Sequence, residues 1–359
     1  MKRIKTFIAM ILCLMLVLSG CSVWLSGEYH SIVPYRDEGG EQNNTSAVHS
    51  TYLDLRNTLI ELVKAGTQES ILYVTDISND QCAYFVKTAI DYVMNSTPIG
   101  AYAVNEITCD VGTNAGKRAV AIKIDYLHNR SEILRIKKTK DMDAVLDLIR
   151  VALENHESSL VVQVEEYGTN DLPQFVQNYA NENPQKCVET PRISVATYPE
   201  VGQERVIEIA FLYQNTKEAL RNMKQVVGDI FKSAQYYVNK DGENQEKYQQ
   251  LYTFLMERNE PTYETSITPA YSLLRHGVGD CKAFALVYMA MCRQIGLDCQ
   301  VVSGTKNGEP WSWNIVKEQD TYYHVDLLEC NKKGMFAMKT EEEMAGYVWD
   351  YSAFQEPES

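Results

Sequence analysis

The chain has 359 residues, of which 45% are hydrophobic and 23% are charged, a composition typical of globular proteins. Its formal net charge of -14 argues against nucleic acid and anionic lipid headgroups as partners, because an acidic surface gains neither counterion release nor surface attraction from them. The length is enough for two or three domains.

The first twenty residues have the layout of a secretory signal peptide. Three basic residues among the first five positions precede an apolar run over 7–18, which is short for a membrane-spanning helix. The run ends in Leu18-Ser19-Gly20-Cys21, which resembles the lipobox of bacterial lipoproteins. The resemblance implies cleavage of residues 1–20, which takes the formal charge to -17, and a diacylglyceryl thioether on Cys21. The alternative is an ordinary secretion signal followed by a chance cysteine.

A lipid on Cys21 would anchor the protein to the extracytoplasmic face of the cell membrane, because buried acyl chains hold it there. Residues 21–49 then form a flexible tether, since 22–48 are rich in Ser, Gly, Asn and Glu and have no sustained period. Beyond Cys21 the chain has seven cysteines, an odd number, so at least one thiol stays free or pairs between chains. We expect Cys281 to be free and Cys292 and Cys299 to be buried in the core.

Residues 50–140 and 141–240 are interpreted as two copies of one small α/β module. Strands over 118–126 and 205–213 alternate with period two, and each leads into a similar helix start, near Asn129 and Asn215. The offset of about 87 residues is longer than that of solenoid repeats. In chain order the predicted elements are helix 52–65, strand 71–74, helix 81–94, strands 101–109 and 118–126, helix 142–155, strand 160–164, helix 171–181 and strands 192–197 and 205–213.

These modules contain no nucleophile–base pair, no Gly-rich phosphate loop and no metal-ligand spacing, which favours a structural or protein-binding role. A helix over 216–237 is predicted to close the second module. The polar stretch 239–244 then marks a boundary before a third domain over 245–350. That domain is predicted to begin with a helix over 245–257. No Cys-x-x-Cys pair occurs in the chain, and we expect neither a metal nor a cofactor.

The third domain contains an apolar helix that begins at Cys281. Asp280 is suited to cap this helix and Gly296 to end it. A thiol at the first helical position lies at the positive end of the helix dipole, which favours the thiolate. Strands are predicted over 298–303, 311–317 and 321–328.

This order of segments resembles the core of the transglutaminase-like superfamily, which takes a Cys from the helix start, a His from a following strand and an Asp from the next. The resemblance implies an α+β fold with a cysteine-proteinase-like domain after the tandem modules. It also implies acyl transfer with Cys281 as nucleophile and Asp326 orienting the base. Where the family has His-Ala-Trp-Asn, this chain has Trp311-Ser312-Trp313-Asn314, so Trp311 occupies the position of the base.

An indole N–H donates a hydrogen bond but accepts no proton, so Trp311 cannot act as a general base. His324 and His276 are the possible substitutes. Asp326 and burial are expected to raise the pKa of the Cys281 thiol. Trp311 then either closes the cleft or offers a flat face to a sugar or a peptide.

The sequence therefore predicts a membrane-anchored, extracytoplasmic and catalytically degenerate transglutaminase-like protein. It would bind a cell-envelope protein or peptide through its C-terminal cleft or its tandem modules. The alternative is a cysteine-dependent acyltransferase or peptidase that uses Cys281 and Asp326 with His324 or His276 as a non-standard base.

Overall fold

The computed structural model describes residues 48–262 and 269–350. The predicted signal peptide, Cys21 and nearly all of the tether lie outside these ranges. Within them, no helix combines the length and the apolar character needed to cross a membrane.

The first module is a four-stranded sheet with its helices packed on one face. The strand order is β1-β2-β4-β3, with β1 parallel to β2 and the other pairs antiparallel. The core lies between this sheet and the two longer helices. The elements are β1 (Val48–His49), α1 (Tyr52–Lys64), β2 (Glu69–Val74), α2 (Asn79–Ser96), α3 (Pro98–Ala103), β3 (Val104–Asn114) and β4 (Lys117–Tyr126).

The second module has the same strand order, β5-β6-β8-β7, and the same pattern of parallel and antiparallel pairs. In the first sheet Leu72 pairs with Val120, and in the second sheet Val162 pairs with Ile207. Ile207 comes 87 residues after Val120 in the sequence. This correspondence is what a duplication requires. After the short connecting helix α4 (Arg130–Leu134), the elements are β5 (Lys137–Asp141), α5 (Met142–Glu154), β6 (Ser159–Glu166), α6 (Leu172–Glu182), β7 (Arg192–Tyr198) and β8 (Arg205–Leu212).

In the modules one predicted strand starts later than expected and one strand was not predicted. The predicted strand 101–109 begins only at Val104, because the residues before it form helix α3. Pro98 occupies the first helical position, and the Thr97 side chain caps the helix by accepting the Gly100 N–H at 3.2 Å. Strand β5 was not predicted, since its sequence Lys-Lys-Thr-Lys-Asp has no apolar alternation.

The C-terminal domain packs helix α10 against an antiparallel sheet of order β13-β12-β11-β14. Ten consecutive residues of α10, from Ala283 to Cys292, are buried, so the helix is covered on all sides. The elements are α7 (Lys217–Tyr237), α8 (Asn244–Met256), β9 (Glu260–Pro261), α9 (Pro269–His276), β10 (Val278–Gly279), α10 (Cys281–Gln294), β11 (Cys299–Lys306), β12 (Glu309–Glu318), β13 (Thr321–Val325), α11 (Leu327–Lys333) and β14 (Tyr347–Val348).

Two boundaries in this region differ from the prediction. Helix α7, assigned from sequence to the second module, buries Val227 and Phe231 in the same core as α10. The strand predicted over 321–328 ends at Val325, because Asp326 caps α11 by accepting the Glu329 N–H at 3.0 Å.

Candidate active site

Cys281 is the first residue of α10. The Asp280 carboxylate caps the helix by accepting the Ala283 N–H at 2.8 Å, which fixes Cys281 at the helix start. The side chain is half-buried, and its Sγ accepts the backbone N–H of Ser312 on β12 at 3.4 Å. The thiol therefore lies between the start of the helix and the strand that carries Trp311.

The pKa of the Cys281 thiol is raised above its ordinary value. Burial is the main cause, and the nearby carboxylates of Asp280 and Asp326 act in the same direction. The backbone N–H groups of Ser312 and Lys282 favour the thiolate, but they do not outweigh burial. The thiol is consequently protonated at neutral pH.

Asp326 is buried, with 3% of its surface exposed, and both of its carboxylate oxygens are engaged. Oδ1 accepts the helix-capping bond from Glu329. Oδ2 accepts from the Trp311 indole Nε1–H at 2.8 Å, from the Tyr347 hydroxyl at 2.6 Å and from Lys306 Nζ at 2.9 Å. The position that the superfamily resemblance assigns to an orienting carboxylate thus holds a saturated hydrogen-bond acceptor.

Lys306 supplies the positive charge of this cluster. Its Nζ also bonds Glu329 Oε2 at 2.8 Å and lies 4.8 Å from the Trp311 ring centroid. The bond from Lys306 is the main reason that the pKa of Glu329 is lowered to about 2. Burial alone would lower the pKa of Lys306, but its bonds to Glu329, Tyr347 and Asp326 raise it. Lys306 is therefore a fixed cation at neutral pH and no proton acceptor.

Trp311 makes the contact expected of a base that is oriented by Asp326, but it makes that contact as a donor only. Its single N–H points to Asp326, and the indole has no lone pair for a proton from the Cys281 thiol. Trp311 contacts both the α10 core and the aromatic cluster around Trp313 on the other side of the sheet.

His324 has no free acceptor nitrogen. It is 5% exposed, and its Nδ1 accepts the Trp313 indole N–H at 2.9 Å, so the proton of the neutral ring is on Nε2. Burial lowers its pKa. His276 is exposed on the last turn of α9. Within the described residues, neither histidine is a hydrogen-bond partner of Cys281 or Asp326.

The structure brings Cys281, Trp311 and Asp326 into one site and adds Lys306, Tyr347 and Glu329. The sequence analysis missed Lys306, Tyr347 and Glu329, and no local motif marks them. Lys306 and Tyr347 come from the ends of strands that meet only in the folded sheet. Among the described residues, no group of three or more His, Cys, Asp or Glu side chains is placed to hold a metal ion.

The family model of the transglutaminase-like superfamily matches residues 232–349. This C-terminal segment is a transglutaminase-like domain. The match contains Cys281, Trp311 and Asp326, and it begins within α7, in agreement with the packing of that helix on α10. It covers about a third of the chain. No curated protein matches the chain.

Three solved structures are distantly similar to the chain. The first is a TGase, with 11% identity, a TM-score of 0.29 and coverage of 56% of this chain and 61% of that one, so the chain spans about three fifths of its length. The second is a proposed cysteine protease from Cytophaga hutchinsonii, with 11% identity, a TM-score of 0.26 and coverage of 44% and 70%. The third is a proposed protease from Parabacteroides distasonis, with 9% identity, a TM-score of 0.24 and coverage of 72% and 40%. With TM-scores below 0.5, the domain assignment rests on the family match.

Proposed function

We propose that this is a membrane-anchored, extracytoplasmic protein whose transglutaminase-like domain is catalytically degenerate and which binds a cell-envelope protein or peptide. The supporting observation is the 2.8 Å bond from the Trp311 indole to Asp326, at the position where the superfamily resemblance expects a histidine. The indole preserves the contact to the carboxylate and loses the proton acceptor.

The chemistry of the thiol supports the same proposal. General-base help accelerates acyl transfer by about 10²–10⁴-fold, and a neighbouring imidazolium keeps a catalytic cysteine ionised. Here the cation nearest to Asp326 is Lys306, which is already bonded to Asp326 and Glu329. Among the described residues, the Cys281 thiol, with a raised pKa, therefore has neither a base nor an ion-pair partner beside it.

One observation favours the alternative of a cysteine-dependent acyltransferase or peptidase. The backbone N–H groups of Lys282 and Ser312 both stabilise negative charge at the sulfur, as a nucleophilic site would require. That activity would need a base, and His324 becomes one only by giving up the bond from Trp313 to its Nδ1.

The test compares wild type with Trp311→His, Trp311→Phe and Cys281→Ala. We expect wild type to incorporate no fluorescent primary amine into a glutamine-containing protein, and its Cys281 alkylation pKa to lie above the free-thiol value of about 8.5. Trp311→His should lower that alkylation pKa by placing an imidazole beside Asp326. Trp311→Phe, which removes the indole without adding a base, should not lower it.

Two results would contradict the proposal. One is amide turnover by wild type that Cys281→Ala abolishes. The other is a wild-type alkylation pKa below about 7, which would require a cation beside the sulfur. In either case His324→Gln and His276→Gln would identify the base.

A further inference from the structure

Two buried cysteines that take no part in the candidate site lie side by side in the C-terminal domain. Cys292 is in the last turn of α10, and Cys299 is the first residue of β11. Both belong to the core that surrounds α10, where their exposed fractions are 0% and 1%. The Cys292 thiol hydrogen-bonds the Cys299 sulfur. Two thiols in contact can form a covalent bond that a single buried cysteine cannot.

The connection between the two cysteines reverses the chain in a defined way. Gly296 has a positive φ of 79°, and its N–H donates to the Arg293 carbonyl at 3.1 Å. The Leu297 N–H donates to the Cys292 carbonyl at 3.0 Å. These two bonds form the Schellman motif that ends many helices. The chain therefore turns back beside the last turn of α10, and Cys299 follows two residues after Leu297.

A further bond holds the backbone of Cys299 against the helix. The Arg293 guanidinium Nε–H donates to the Cys299 carbonyl at 3.1 Å. Side chains alternate along a strand, so Cys299 and Val301 lie on the same face of β11, and both contact the core around α10. The Cys299 side chain consequently faces the helix from a fixed position.

The helix carries Cys292 on the side that faces this strand. Ala285 and Cys292 are seven residues apart, which is about two turns, so they lie on one side of α10. The side-chain nitrogen of Asn314 on β12 donates to the Ala285 carbonyl at 2.9 Å and to the Cys299 sulfur at 3.5 Å. Asn314 thus links the side of α10 that carries Cys292 to the side chain of Cys299.

We propose that Cys292 and Cys299 form a disulfide bond, which joins the end of α10 to the start of β11. A disulfide bond is about 2.05 Å long. Sulfurs that already share a hydrogen bond approach one another by rotation of their side chains, while the helix end and the strand hold the backbone. The bond would connect the helix that begins at Cys281 to the strand that ends at Lys306, the two elements that position these residues of the candidate site.

The oxidant is a second disulfide, such as that of oxidised glutathione or of a thiol–disulfide oxidoreductase. The thiolate of one cysteine attacks this disulfide, forms a mixed disulfide and releases one thiol of the oxidant. The second cysteine then attacks the mixed disulfide and releases the other thiol. The chain loses two electrons and two protons, and the oxidant gains them as its two thiols. The geometry of the pair does not depend on the function proposed for the candidate site.

Burial determines when the oxidant can reach the pair. The thiolate is the attacking species, and burial raises the pKa of the Cys292 thiol well above its ordinary value. Both sulfurs are enclosed once α10 is covered by the rest of the domain. The oxidant must therefore be present while the chain folds, and the folded domain then shields the bond from reductants.

The experiment is a tryptic map of the full chain after it has folded from the reduced, denatured state in a mixture of reduced and oxidised glutathione. Remaining thiols are alkylated in denaturant before digestion. Trypsin cleaves after Lys282, Arg293 and Lys306, so the two cysteines fall in separate peptides, 283–293 and 294–306, each with one cysteine. We expect these peptides to be recovered joined, with the loss of two hydrogens relative to the two thiol peptides, and to separate on reduction.

The variants identify the two sulfurs. Cys292→Ala and Cys299→Ala should each abolish the joined product and leave the other cysteine of the pair alkylated. Cys187→Ala, at a buried cysteine of the second module, and Cys281→Ala are the matched controls. Both control variants should give the joined product as wild type does.

Two results would overturn the proposal. One is a wild-type map in which peptides 283–293 and 294–306 are recovered separately and alkylated after folding with oxidised glutathione, a result that requires no variant to fold. The other is a map in which Cys292 or Cys299 is joined mainly to a different cysteine.

Discussion

Asp326 is the centre of a buried hydrogen-bond cluster in the transglutaminase-like domain. Its oxygens join β11, β12, β14 and α11 through Lys306, Trp311, Tyr347 and the capped helix. A buried charge with this many donors is stabilising only while its partners remain, because an unpaired charge in the interior is costly.

Asp326→Asn should destabilise the protein by about 1–3 kcal/mol, because it removes one of the two carboxylates bonded to the Lys306 ammonium and puts an amide N–H where three donors now point. Asparagine still accepts the capping bond from Glu329, so the loss reports on the contacts of Oδ2. Urea unfolding measures it, with Asp320→Asn at an exposed turn as the control. A loss no larger than that of Asp320→Asn would show that the cluster contributes nothing to stability.

The chemistry at position 311 could be predicted from the sequence, because a tryptophan cannot replace the proton-accepting function of histidine in any conformation. The partners of Asp326 could not be predicted from the sequence. Lys306 and Tyr347 are 41 positions apart in the chain and pair across β11 and β14, a contact that no periodicity or spacing encodes. The sequence also could not predict that His324 Nδ1 is a hydrogen-bond acceptor, because this depends on the face of the sheet that Trp313 occupies.

At the scale of elements, β14 borders the site because it pairs with the end of β11 that carries Lys306. Its close approach depends on Gly304, where a Cβ atom would lie 2.2 Å from the Val348 carbonyl oxygen. The short strand brings Tyr347 onto Asp326. Among the described strands β14 pairs with β11 alone and over just two residues, so a small steric change can displace it.

Gly304→Ala should displace β14, remove the Tyr347 contact to Asp326 and cost about 1–3 kcal/mol through overpacking. Hydrogen exchange of the amides of Thr305 and Lys306 and the alkylation rate of Cys281 should both increase. Gly112→Ala is the control, because a Cβ there meets no atom within 4 Å. Unchanged exchange at Thr305 would show that β14 accommodates the methyl group and does not constrain the site.

A second element-scale prediction concerns His156, which follows α5. Its backbone has a positive φ of 52°, its side chain is 3% exposed, and burial, followed by the charges of Lys224 and Lys217, lowers its pKa to about 4. The unfolded chain takes up this proton near pH 6.5 and the folded chain does so only near pH 4. Stability is therefore lost as the pH falls through this interval, by up to about 3 kcal/mol.

His156→Asn removes the titration and tolerates the positive φ. The variant should lose less stability than wild type between pH 6.5 and pH 4, as measured by urea unfolding at a series of pH values. The control is His276→Asn, since His276 is exposed, whereas His128 is half-buried and stacked on Tyr102. An identical pH dependence in wild type and His156→Asn would exclude His156 as the cause.

The helices and most strands of both modules were predictable because their apolar residues follow a clear period. The failures have two physical causes. At Pro98 and Asp326, local capping and proline effects override the apolar pattern. The lysine-rich β5 is a strand because β6 pairs with it, so tertiary pairing and not propensity determines that segment.

At the scale of the whole molecule, each unit covers part of the next. Val206 of the second sheet is buried in the core of the first module, and Val188 together with α7 joins the core of the C-terminal domain. The equivalent outer face of the first sheet, with Val48 and Ile71, remains exposed. The described chain thus forms a continuous series of packed units, and β1, which lies within the last residues of the predicted tether 21–49, pairs in the first of them.

The anchoring prediction belongs to this scale, because it decides where all three units are held. If Cys21 is lipidated as its lipobox predicts, the buried acyl chains hold the protein at the membrane with about 0.8 kcal/mol per CH₂. An alkyne fatty acid should label the wild-type protein in cells, and the protein should be recovered with membranes. Cys21→Ala should lose the label and either appear in the soluble fraction or keep its signal peptide, which mass spectrometry distinguishes. Cys281→Ala, which leaves the lipobox intact, should behave as wild type. If Cys21→Ala carries the label or partitions with membranes as a processed protein at wild-type levels, Cys21 is not the anchor.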